Sequence, residues 1–199
     1  MKAFDAPLPF AKTGDFLMTE SSKDALLLSG KLLTKLLQGA SALVGGIVFI
    51  LIPVVVLVSN DMLPGLGGAN KGGVIEASPV SAVALLTLMS LILAALFQFF
   101  GKLRAIIVSA GEGDPFTPEN AKRLNVMAWL FLGVKILAVI VGGLRFYVAN
   151  LVDKGADNGK WPDFSIYDLD AVLIVIVLFI LARIFRHGAA MRADLKGTV

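Results

Sequence analysis

The chain has no cysteine, which removes disulfides, thiolate metal sites and a cysteine nucleophile together. Its one histidine, His187, lies among arginines at the end of an apolar run and reads as a surface residue. One histidine without cysteine leaves an all-protein zinc or iron site unexpected. Charge is scarce too: 17% of 199 residues, against about 25% in soluble domains. Paired carboxylates, a nucleophile beside a base and a nucleotide signature are all missing, so neither an enzyme nor a bound cofactor is expected. The glycine-rich stretch PGLGGANKGG at 64–73 has no G-K-[ST] ending and so is no phosphate loop. The acidic stretch at 153–170 has calcium-like texture, but Gly155 stands where the second ligand of a calcium loop belongs. No cleavable signal peptide is evident, because the first apolar run starts only near Ala40.

What the chain has instead is apolar surface, 57% of its residues, with a mean hydropathy of +0.83. Four windows are long enough to cross a hydrocarbon core, which takes about 20 apolar residues. They fall at about 40–59, 80–100, 125–149 and 169–186. The expected fold is therefore all-α: an integral membrane bundle of four antiparallel transmembrane helices over residues 39–199. Residues 1–38 are expected to form a cytoplasmic tail and an amphipathic interfacial helix. In that helix, 21–38, Lys23, Gly30, Lys31, Thr34, Lys35 and Gln38 share one side and leucines the other.

The net charge of +3 does not point to nucleic acid, because basic residues sit beside the ends of the spans. Thirteen lie in the N-terminal segment, the loop between spans two and three, and the C-terminal end; the two other loops hold Lys71, Lys154 and Lys160. The positive-inside rule then places both termini and the middle loop in the cytoplasm.

Local signals refine the spans. Pro53 frees the Phe49 carbonyl, so a kink is expected in span one. Thr87, Ser90, Ala94 and Gln98 share a face of span two, which is expected to pack against another helix. In GDPFTPEN at 113–120, Thr117 suits a helix N-cap and Pro118 the first helical position, with Glu119 and Asn120 in the first turn. Trp161 and Tyr167 read as interfacial anchors.

The stretch GDPFTPENAKRL resembles the signature of a bacterial four-span family, domain of unknown function 2975. The matching positions are Gly113, Pro115, Phe116, Thr117, Glu119, Asn120 and Leu124. The polar end ADLKGTV at 193–199 is similar to the way its members end. The likeness covers about residues 40–199. It implies a multi-pass protein of the bacterial inner (plasma) membrane, without an established activity, and hints at a cytoplasmic regulator as partner.

Lys135 is the costliest residue. It lies about 15 Å into span three, near the bilayer centre, where a lysine costs about 2.5–3.5 kcal/mol on insertion scales. Its expected partners are Asp168 or Asp170, Gln98, or carbonyls freed near Pro53. Lys135, Ala138, Gly142, Arg145 and Ala149 follow steps of three and four, so both cations flank a small-residue stripe. Lys135, Gln98 and Arg145 are thus candidates for an anion or lipid-headgroup site, although Arg145 lies close enough to the outer end to snorkel.

Three non-enzymatic functions are open, each in contact with the lipid bilayer. One is a signalling or regulatory protein that shows Gly113, Pro115, Phe116, Thr117, Glu119 and Asn120 to a cytoplasmic partner. Another is a small homo-oligomeric channel or transporter using Lys135. The third is an accessory subunit of a larger membrane complex.

Overall fold

The computed structural model describes residues 13–60, 62, 78–152 and 166–196. Four α-helices follow one another: α1 (Thr13–Ser59), α2 (Pro79–Gly111), α3 (Pro118–Val152) and α4 (Ile166–Lys196). No strand occurs among the described residues. Each helix contains a segment long and apolar enough to cross a membrane, and the four expected spans lie in these segments to within one residue.

The helices start where the sequence offers a cap. Thr117 Oγ1 accepts from the Asn120 amide at 3.2 Å, and Pro118 fills the first helical position. Ser78 and Pro79 repeat the device at α2, where Ser78 Oγ accepts from the Ser81 amide at 3.4 Å. Both prolines sit where their missing N–H would have had no helical partner. Pro53 lies inside α1 without ending it.

The N-terminal segment departs from expectation. It is not a separate surface helix; α1 runs through Gly39 without interruption from Thr13 to Ser59. Gly39, at the expected boundary, costs only about 1 kcal/mol inside a helix. Part of the polar side of the segment faces α2, while Lys35 is exposed. Thr34 is 3% exposed, Gly30 abuts Ile107, and the Gln38 amide reaches the Cα of Gly101. Leu26, Leu28, Leu32, Leu33 and Leu36 point outward, each more than half exposed. This arrangement is the inverse of a water-soluble amphipathic helix.

Substantial packing among the described residues is confined to chain neighbours: α1 on α2, α2 on α3, and α3 on α4. The spans thus lie in a row and do not close into the expected bundle. No more than 22% of any span window is buried. A water-soluble protein would not leave contiguous apolar surface of this extent open. The densest packing is instead at one end, around the start of α3. Ala121, Leu124, Met127 and Ala128 are each at most 4% exposed.

Candidate functional site

The six residues 112–117 join α2 to α3. Such a short link forces the two helices to be antiparallel neighbours. Gly113 makes the reversal with φ +83°, a left-handed conformation that glycine adopts without steric cost. The turn is tied by backbone bonds from Glu112 N to Val108 O and from Asp114 N to Ser109 O, at 3.1 and 3.2 Å.

Asn120 is the hub of this end and is fully buried. Its Nδ2 donates to Ser109 Oγ at 2.8 Å and to the Pro115 carbonyl at 2.9 Å. Its Oδ1 accepts from Arg123 Nη1 at 2.7 Å. Ser109 Oγ passes its own proton to the Asp114 carbonyl at 2.8 Å. Every polar atom of the Asn120 side chain is therefore engaged, as burial demands.

Two contacts tie the turn to α4. The Phe116 ring packs on Phe185, with centroids 5.0 Å apart, and against the bare Cα of Gly188. Arg192 Nη1 donates to the Asp114 carboxylate. Of the motif residues expected to meet a partner, Gly113, Pro115, Thr117 and Asn120 thus have internal work. Glu119 is exposed, and Phe116 is 43% exposed even when docked.

Beside this turn, α1, α2 and the start of α3 enclose an open groove of about 510 Å³. Gln38, Arg104, Ser109, Glu112, Glu119 and Arg123 supply its polar lining. Arg123 is held in place, because its Nη1 also reaches the Ala105 carbonyl at 3.5 Å. No ion pair joins the two arginines to the two glutamates. The groove went unforeseen in the sequence, since its lining comes from three helices, and its charges, from α2, the turn after it and α3, share no spacing. On α2 its lining residues Glu112, Val108, Ala105 and Gly101 step by four, three and four. The same steps continue through Gln98 and Ala94 to Thr87, so the expected polar face of α2 is the groove's extension. Thr87, Ala94 and Gln98 are exposed, whereas Ser90 on the same face is partly buried, its Oγ enclosed without a hydrogen-bond partner.

Lys135 lies apart from the groove's lining and is half-buried. Its ammonium stands 5.9 Å from the centroid of the Phe131 ring, one turn earlier. Among the described residues no hydrogen bond or ion pair reaches it, so neither Gln98 nor Asp170 serves as its partner. Phe131 offers only a cation–π contact. Arg145 and Ala138 are exposed and Gly142 is partly buried, so the small-residue stripe of α3 is open in part. His187 is exposed. No cluster of three metal-ligating side chains occurs among the described residues. The acidic stretch at 153–165, with Trp161, lies outside the described residues, as do the side chains of Tyr167 and Asp168.

This geometry defines a class and no more: an all-helical chain whose four long apolar helices are compatible with a multi-pass membrane protein. Compared with protein-family models, with curated proteins and with solved structures, the chain matches none of them.

Proposed function

We propose that this is a multi-pass membrane protein with a regulatory, non-enzymatic role, and that its 112–120 turn meets a soluble partner in the cytoplasm. The construction of that turn carries the reading. α2 has 33 residues, about 50 Å of helix, against about 30 Å of hydrocarbon. The surplus lies at the polar end, where the turn is braced on both sides and leaves Glu119 and an edge of Phe116 on the surface. Asn120 and the tie to α4 hold that exposed edge in one geometry, as a docking surface requires. The distribution of lysine and arginine supports a cytoplasmic placement of this end. The likeness of 113–124 to domain of unknown function 2975 supports a bacterial inner membrane as the setting.

A photocrosslinking residue at Glu119 tests this in native membranes. It should trap one soluble protein, and Glu119→Arg should abolish the co-purification of that protein. Co-purification that survives Glu119→Arg would overturn the reading.

A second reading is favoured by the open row. Thr87, Ala94 and Gln98 on α2, and Ala138 and Arg145 on α3, are left uncovered in a single chain. Polar groups in hydrocarbon seek hydrogen-bond partners on other helices, so these faces suit an assembly: several copies of this chain, or a larger complex. An oligomeric channel with Lys135 at its wall is one such assembly. Native mass measurement after gentle extraction should find more than one chain per particle, and a single chain would rule this out.

A further inference from the structure

We propose that the groove between α1, α2 and α3 binds one phosphoethanolamine group, that is, a phosphate diester joined to a primary ammonium. This inference does not depend on the regulatory reading.

The lining decides the chemistry. Arg104 and Arg123 present two guanidinium groups, which match phosphate oxygens in charge and in forked geometry. Glu112 and Glu119 present two carboxylates in the same groove. These opposite charges form no ion pair with one another. A groove that holds two cations and two anions apart suits a guest carrying both signs. A purely anionic guest would meet the glutamates as like charges. A quaternary ammonium is usually held against aromatic faces, and the lining contains no aromatic residue. A primary ammonium instead donates hydrogen bonds, which carboxylates accept. The volume of about 510 Å³ lies within the roughly 300–1,000 Å³ typical of small-ligand sites.

Position argues for a lipid as the source. The lining begins at Gln38 on α1 and Gly101 on α2. Those residues mark where the apolar runs of both helices stop, at Ala40 and Phe100. That level is where a headgroup meets hydrocarbon. The face then continues to Gln98, whose exposed amide can bond a glycerol ester, and past Ala94 along the span.

The experiment uses the full chain in nanodiscs of mixed lipid, followed by native mass spectrometry of retained lipids. Phosphatidylethanolamine, phosphatidylcholine and phosphatidylglycerol are supplied in equal amounts. The wild-type chain should retain one phosphatidylethanolamine at least about tenfold over either competitor, the size of one charge-assisted hydrogen bond. Arg104→Gln should lower retention of all phospholipids at this site. Glu112→Gln should lower phosphatidylethanolamine and raise phosphatidylglycerol, a reversal that an unfolded variant would not give. Neither side chain takes part in the hydrogen bonds around Asn120. Displacement of the lipid by soluble glycerophosphoethanolamine would keep the chemistry and move the source to solution. Equal retention of the three lipids by the wild-type chain, or an unchanged preference in both variants, would overturn the proposal.

Discussion

Asn120 reaches back eleven residues to hydrogen-bond Ser109 at 2.8 Å, and that bond closes the end of α2 onto the start of α3. The turn between them is fixed because the asparagine amide also holds the Pro115 carbonyl. The expected interaction motif is therefore first a folding motif, and its outer edge is what remains for a partner.

Asn120→Ala should destabilise the chain by about 1–3 kcal/mol, since it takes a donor from the part-buried Pro115 carbonyl and an acceptor from Arg123. Thermal or SDS-titrated unfolding in detergent measures this. A loss under about 0.5 kcal/mol, the size of an ordinary surface substitution, would show that the hub is not buried as described.

The pair formed by Asp114 and Arg192 is partly exposed, with each side chain about 40% accessible. Its coupling in a double-mutant cycle should be about 0–1 kcal/mol and should shrink in high salt. Its effect is local: Asp114→Ala should speed amide exchange in the last turns of α4 and leave α2 protected. Uniformly faster exchange would mean that the tie carries more than this.

Gly188 is in contact with Phe116; an added Cβ would lie 3.0 Å from Phe116 Cδ1. Gly188→Ala gains about 1 kcal/mol of helix propensity, and the half-exposed ring can give way, so it should be near neutral. Gly188→Leu should evict the ring. A solvent quencher then reaches a fluorescent probe at position 116 in the leucine variant and much less in the alanine variant.

Among the described residues, the Lys135 ammonium has a contact with the Phe131 ring and no hydrogen bond or ion pair. In an isolated chain Lys135→Met should ease insertion by about 2.5–3.5 kcal/mol. If neighbouring chains supply its partner, the same change should lower cross-linked oligomer in membranes without loss of folded protein. Unchanged cross-linking would tie Lys135 to lipid or water instead.

The absence of cysteine makes every introduced thiol unique. Glu119→Cys should react with an impermeant maleimide only from the cytoplasmic face. Met62→Cys, 69% exposed beyond the other end of α1, should react only from the opposite face. Labelling of both from one side would end the proposed threading.

The four apolar spans and the start of α3, with its cap Thr117 and Pro118 in the first position, were legible in the order of the chain; the fusion of 21–38 with the first span was not. Local periodicity and cap chemistry need no knowledge of neighbours. The amphipathic pattern of 21–38 was legible too, but not its sense. Only packing against α2 showed that Thr34 and Gly30 face inward and the leucines face out, because a two-sided pattern does not say which side its surroundings prefer. The tertiary structure alone opened the bundle into a row, kept Gln98 and Asp170 from pairing with Lys135, and gathered Gln38, Arg104, Glu112 and Arg123 into one groove. Those residues are spread over 85 positions of sequence. Contact across that separation depends on how long helices lie against one another, which no local spacing encodes.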